Sequence, residues 1–180
     1  NLLIQLVTVN WRNIGNKIFS DVMAMLLFHF IIIFINRKQL KEIGFSKKNM
    51  GLRACLFAIY LSFIYLHHDF SLSGFYQAFF YLCIVATGEE LIYRGYLYLG
   101  IKAINPIVAI VVSGILFGMP HAILPGISAG QDILQILAGM FNHVGGGIAA
   151  GLIFILLLEL GESIAVPILI HALLDYSYDG

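Results

Sequence analysis

Charge is what this chain has least of. Only 11% of its 180 residues are Asp, Glu, Lys or Arg, against 60% hydrophobic, and mean hydropathy is +0.92. A soluble domain carries about 25% charged residues. So little charge cannot cover so much apolar surface in water, which excludes an ordinary soluble fold and points to lipid. Ten basic residues balance ten acidic ones, so no net positive charge invites nucleic acid. Cysteine is scarce too. Cys55 and Cys83 both fall in apolar stretches and form no Cys-x-x-Cys pair. That excludes a disulfide framework and a zinc–thiolate site. Internal repeats and low-complexity tracts are absent. What remains is an all-α, polytopic transmembrane helix bundle held in a lipid bilayer.

The apolar runs give about six membrane helices. Residues 2–9 are too short to span and have no small-residue cleavage site. They read as the tail of a truncated upstream helix, which makes the chain a fragment or a processed product. Asn10-Trp11-Arg12 resembles an interfacial anchor, with Trp at headgroup depth. Residues 18–35 form the first complete span, with Asp21 near its start and His29 inside it. A lone His on an apolar helix is usually packed or hydrogen-bonded, so His29 receives no role. Arg37, Lys38, Lys41, Lys47, Lys48 and Arg53 follow, against only Arg12 and Lys17 on the other side. The positive-inside rule puts this basic linker in the cytoplasm.

Residues 52–66 make the second span. His67-His68-Asp69 follows at its end with no fourth ligand nearby, and reads as a solvated loop. Residues 71–74 read as a turn and 75–99 as the third span. Asn105-Pro106 opens the fourth, residues 107–119, with Pro tolerated in the first turn. Pro125, Gly126 and Gly130 make residues 123–131 a loop or re-entrant segment. Asp132 is an N-cap for a helix over 133–141. The glycines at 145–147 favour close packing over a break, with Gly147 and Gly151 forming a small-xxx-small face. Residues 148–158 continue the apolar run, 159–162 form a polar turn, and 163–176 are the last span. The chain thus divides into N-terminal membrane helices with a basic linker, residues 1–74, and a helix bundle, residues 75–180.

The polar residues inside these spans carry the chemistry. Glu89, Glu90 and Arg94 lie in one apolar helix. Each costs about 2.5–3.5 kcal/mol near the bilayer centre, even on the lenient insertion scale. Glu90 and Arg94 are four apart and share a face, so they can pair. Glu89 points about 100° away and stays available. The bland alternative is an ion pair that glues two helices. Phe117 and His121 are four apart on the fourth span, and His171 and Asp175 four apart on the last. At about 1.5 Å per residue, Glu89, His121 and His171 sit roughly 20, 22 and 14 Å above the cytoplasmic ends of their helices. Tilt absorbs the difference, so the three sets can meet at one level. Separate helix–helix hydrogen bonds are the alternative to one convergent polar site.

Glu89-Glu90-x-x-x-Arg94, Phe117-x-x-x-His121 and His171-x-x-x-Asp175, in that order on separate spans, resemble the three motifs of the CPBP family. This family comprises CAAX proteases and bacteriocin-processing enzymes and is also called Abi. The resemblance covers about residues 75–176. The segment Lys41-Glu42-Ile43-Gly44-Phe45, the glycine-rich stretch near Phe141 and Val166-Pro167 are similar to bacterial members. Asp175 is a departure, because the CAAX-cleaving members carry Asn there. An ionised Asp only accepts hydrogen bonds, whereas Asn can also donate.

The resemblance implies an intramembrane endopeptidase acting on membrane-associated or lipidated peptides, in an integral, multi-pass protein of a bacterial plasma membrane. Peptide hydrolysis needs a base for water, a proton for the leaving amine and donors for the oxyanion. Glu89 is the candidate base, with His121 helping to hold the water. Glu90 and Arg94 form the supporting pair. His171, oriented by Asp175, faces the scissile carbonyl. A metal version stays open, with Zn²⁺ on Glu89, His121 and His171 and one position for water. Two other classes also stay open. One is a non-catalytic bacteriocin-immunity or scaffold protein. The other is a proton-coupled transporter, disfavoured by small size and the lack of an inverted repeat. The implied partners are a membrane peptide or protein substrate and the lipid bilayer, with no nucleic acid. Bacteriocin leaders, pheromone precursors and membrane-protein segments are the implied substrate classes.

Overall fold

Apolar runs without interior proline become helices because nothing else satisfies the backbone in an apolar medium. The computed structural model describes residues 10–25, 31–35, 40–68 and 70–179. Among these, the secondary structure is helical with no strand. Helices α1 (Ile14–Met25) and α2 (Ile31–Ile35) cover described parts of the predicted span 18–35, and α1 begins earlier, at Ile14. Residues 2–9, His29, Arg37, Lys38 and Asp69, on which expectations were placed, lie outside the described residues. Helix α3 is Met50–Leu66.

Helix α4, residues 72–102, carries the paired glutamates and changes its winding along its length. Leu72–Phe79 is α-helical, Phe80–Ala86 is π-helical, and Thr87–Glu90 returns to α. Leu91–Tyr98 is π-helical again and Leu99–Lys102 ends the rod in α. The Thr87 hydroxyl follows the wide winding by donating to the Leu82 carbonyl, five residues back, at 2.7 Å. The expected turn at 71–74 is instead the start of this helix. Ser71 is its N-cap, with its hydroxyl accepting from Gly74 N–H at 3.2 Å.

Helix α5 is Pro106–Ser128. The Asn105 side chain caps it by accepting from the N–H groups of Ile107 and Val108. Of the loop or re-entrant segment expected at 123–131, the non-helical part is confined to residues 129–131. The chain tightens to a 3₁₀ turn at Met119–Ala122 and continues as α-helix over Ile123–Ser128. Pro125 is tolerated there because it lies in the first turn after the change of winding. Helix α6 is one unbroken rod, Ile133–Gly161, opened by the predicted cap Asp132 in a capping box with Gln135. The polar turn expected at 159–162 shortens to its end, where Glu162 adopts a left-handed conformation at φ 49°. Helix α7 is Ala165–Asp179.

Helices α5 and α6 are long and apolar enough to cross a membrane, and only 33% of the most apolar window of each is buried in protein. They meet through glycine. A Cβ at Gly147 would stand 2.5 Å from both the Gly114 carbonyl oxygen and Gly118 Cα. Such an approach leaves no room for any side chain, which is the small-residue packing expected of Gly147 and Gly151. Around it, Tyr60, Tyr81, Tyr98, Ile155, Ile164 and Tyr176 build the core. The basic linker is docked rather than free. Ile43 is buried, and the Gly44 carbonyl accepts from Ile164 N–H at 2.8 Å.

The glycine contact generates a test within one triplet. A Cβ at Gly145 meets nothing within 4 Å, whereas one at Gly147 meets backbone. Gly147→Ala should destabilise by about 1–3 kcal/mol through overpacking. Gly145→Ala should be neutral or stabilise by about 0.5–1 kcal/mol through helix propensity. Thermal unfolding of both variants in one detergent checks this, and equal melting temperatures would refute the packing account.

Candidate active site

The site grows from one fully buried carboxylate. Glu90 sits in the short α turn between the two π-helical stretches of α4, with its side chain 0% exposed. One turn on, Arg94 is also 0% exposed, and its Nη1 lies 3.1 Å from Glu90 Oε1. The predicted pair is therefore present. No nitrogen of Arg94 makes a directed hydrogen bond, so the attraction is chiefly charge to charge. Aromatic faces hold the guanidinium from the other sides. The Phe117 ring of α5 lies 4.2 Å from it and the Phe154 ring of α6 lies 4.8 Å away. Cation–π contacts of this kind strengthen when desolvated.

His171 of α7 completes the arrangement. Its Nδ1–H donates to Glu90 Oε1 at 2.8 Å. The ring also stacks on Phe154, with centroids 4.7 Å apart and planes at 22°. Orientation of His171 was expected from Asp175, but the close partner is Glu90. Asp175 Oδ2 instead lies 3.6 Å from Nε2, the opposite nitrogen. Glu89 Oε2 is also 3.6 Å from Nε2. The two adjacent glutamates thus address opposite ends of one imidazole. Glu90 is sealed, while the Glu89 and Asp175 side chains are each 30% exposed. The Glu89 oxygen that faces Nε2 is itself buried and makes no hydrogen bond.

His121 stands at the edge of this group. Its Nδ1 is 2.7 Å from the Phe117 carbonyl oxygen. A carbonyl only accepts, so Nδ1 carries a proton, and Nε2 is the nitrogen left facing away from Phe117. The imidazole packs edge-on to Phe117 at 4.9 Å, and Phe117 in turn lies 6.1 Å from His171. Phe117 is thus the hinge between the two histidines. The Ser113 hydroxyl ties α5 to α4 by donating to the Tyr93 carbonyl at 2.8 Å.

All six candidate residues from the sequence therefore belong to one neighbourhood. Glu89, Glu90, Arg94, His171 and Asp175 form a connected polar centre, and His121 joins it through Phe117. Phe154 was missed by sequence reasoning. A signal existed: residues 147, 151 and 154 follow helical spacing on one face of α6, the face whose glycines admit α5. Among the described residues no group of three His, Cys, Asp or Glu stands together as a metal site. His171 Nδ1 is committed to Glu90, which leaves Nε2 as its open nitrogen. The His67 ring packs 5.0 Å from Tyr176.

With this geometry in place, comparison with known proteins is informative. A family model described as Type II CAAX prenyl endopeptidase Rce1-like matches residues 70–177. That range contains every member of the polar centre. No curated protein and no solved structure matches the chain.

The buried pair sets a stability prediction. Glu90→Gln removes the one charge that, among the described residues, compensates Arg94 at contact distance. Stranding a buried partner typically costs about 3–5 kcal/mol, so this variant should melt well below the parent. Glu89→Gln, at the exposed edge, should melt near the parent. Denaturant midpoints of the two variants in one detergent check the contrast. A stable Glu90→Gln beside an unstable Glu89→Gln would reverse the assignment of the two carboxylates.

Proposed function

We propose, for a chain that belongs to the Rce1-like family of type II CAAX prenyl endopeptidases, hydrolysis of a peptide bond in a membrane-associated substrate by water activated at Glu89. The observation that carries this reading is the unequal treatment of the two glutamates. Glu90 is sealed against Arg94 and His171, and Glu89 is left part-exposed with a buried, unbonded oxygen 3.6 Å from His171 Nε2.

In this reading, a water at Glu89 gives its proton to the carboxylate as it attacks the scissile carbonyl carbon. The Nε2 lone pair of His121 accepts a second hydrogen bond from that water and aims it. His171, held by Glu90, carries a proton on Nε2 and donates it as a hydrogen bond to the developing oxyanion. The positive Arg94 beneath Glu90 offsets the carboxylates gathered round the imidazole. The tetrahedral intermediate then collapses. The C–N bond breaks, and the proton held by Glu89 passes to the leaving amine. Asp175, with Oδ2 3.6 Å from Nε2, places a negative charge beside the imidazole and, when ionised, does not donate. That differs from the Asn of CAAX-cleaving members, and Asp175→Asn should retain activity by supplying a donor at the same position.

The reading requires a bilayer. We take α3 to α7 as crossings and α1 with α2 as the N-terminal one, about six in all, with residues 75–180 as the catalytic bundle. The exposed apolar side chains of α5 and α6 support this, because a helix that is apolar all round and unburied needs lipid. The basic linker is then cytoplasmic and the membrane a plasma membrane. The substrate class is a peptide or protein segment presented at that membrane.

Two measurements test the proposal. Glu89→Gln should lower the cleavage rate of a membrane peptide library by about 10²–10⁴, the usual span for a general base. Unchanged turnover would remove Glu89 from the chemistry and leave a scaffold reading. Cysteine introduced at Lys47, with Cys55 and Cys83 replaced by Ala, should resist an impermeant reagent in intact cells. Rapid labelling from outside would invert the topology.

A further inference from the structure

A groove of about 1220 Å³ opens away from the polar centre, where the docked linker meets the ends of α4 and α6. Four lysines line it, Lys41, Lys47, Lys48 and Lys102, against two glutamates, Glu159 and Glu162. The difference, 4 − 2, leaves a charge of +2. Both glutamates are already engaged, Glu162 by Lys48 and Glu159 by Lys102, each at 2.6 Å. Lys41 and Lys47 are exposed and make no ion pair among the described residues. The groove therefore offers two uncommitted ammonium groups beside two neutralised pairs.

Its wall is not only basic. Phe45, Leu99 and Leu158 supply an apolar side. The surface is thus amphipathic and suits a ligand with an anionic head and a hydrocarbon body. Its place agrees. Lys102 closes α4 and Glu159 lies in the last turn of α6, so the groove sits where these helices leave the apolar layer. Its lysines are borne on a fixed rim. Ile43 is buried, Gly44 accepts from Ile164 N–H at 2.8 Å, and the Arg53 guanidinium donates to the Ser46 carbonyl at 2.9 Å. A preformed rim lowers the ordering cost of binding.

We propose that this groove seats the phosphate headgroup of an anionic phospholipid, with Lys41 and Lys47 on the phosphate and the Phe45–Leu99–Leu158 side against the upper acyl chain. The site is separate from the chemistry at Glu89. It makes the linker a lipid-anchored collar on the cytoplasmic side of the bundle.

The test uses the full chain in a neutral detergent, with phosphatidylglycerol as probe and binding read by native mass spectrometry. Phosphatidylglycerol should be retained and phosphatidylcholine should not. Lys41→Gln/Lys47→Gln should weaken retention about thirty-fold, the scale of two lysines at an anionic surface. Arg12→Gln, which removes an exposed cation elsewhere, should leave it unchanged. Because Lys41 and Lys47 are exposed, the double variant should keep the parent melting temperature and its basal peptide cleavage in neutral detergent. Equal loss with Arg12→Gln would reduce the effect to unspecific charge and overturn the site. Retention unaffected by the double variant would do the same. Displacement of the lipid by millimolar inorganic phosphate would mark a free-phosphate site instead. Loss of cleavage in Glu89→Gln with lipid retention intact would keep the two sites distinct.

Discussion

The polar centre of this bundle depends on the carboxylate of Glu90. It is fully buried, and one of its oxygens serves both the Arg94 guanidinium at 3.1 Å and His171 Nδ1 at 2.8 Å. A buried charge in so apolar a chain is sustainable only when it is paired. The pairing here uses one partner from its own helix and one from α7. The same contact therefore neutralises Glu90, ties α7 to α4 and fixes which nitrogen His171 turns outward. A structural interaction thereby decides a chemical one.

That interaction rests on how close the backbones come. Glycine against glycine between α5 and α6 brings Phe117 and Phe154 to adjoining sides of Arg94, their ring centroids 6.4 Å apart. A Cβ at Gly151 would stand 4.0 Å from Arg94 Nη2 and 3.1 Å from Gly114 Cα. The small residues that allow the helices to pack also leave the volume the guanidinium fills. Phe154 then covers both Arg94 and His171, so one ring shields the cation and sets the plane of the imidazole. Packing and electrostatics are not separable in this part of the molecule.

Much of this was legible in the chain. The pairing of Glu90 with Arg94 follows from spacing alone, because four residues apart means one helix face. Asp132 and Asn105 announce their helices through side-chain chemistry at the caps. The Gly147–Gly151 face announces a close neighbour. Other features have no local signal. Nothing in residues 80–86 separates π from α winding, since both bury apolar side chains equally well. Residues 123–131 carry Pro125 and glycines that signal a loop in isolation, yet the chain stays helical as far as Ser128, where Gly126 packs against Ile136 of α6. His171 also has a partner that spacing does not reveal. Asp175 is near in sequence, whereas Glu90, 81 residues away, becomes the neighbour only after the helices assemble. Short-range spacing reveals pairs within a helix, and tertiary contact decides between them.

The winding of α4 bears on why the two adjacent glutamates differ so sharply. They lie in a single α turn, Thr87–Glu90, between π-helical stretches of seven and eight residues. π winding is uncommon and concentrates at functional sites, because it trades regular packing for a local change in where side chains point. The α turn keeps Glu89 and Glu90 about 100° apart. One therefore enters the sealed layer against α5, α6 and α7, and the other stays at its rim. Had both faced inward, two like charges would share one low-dielectric space with a single arginine to offset them. Had both faced outward, Arg94 would be stranded. The observed rotation avoids both outcomes, and it leaves one carboxylate whose charge the fold does not consume.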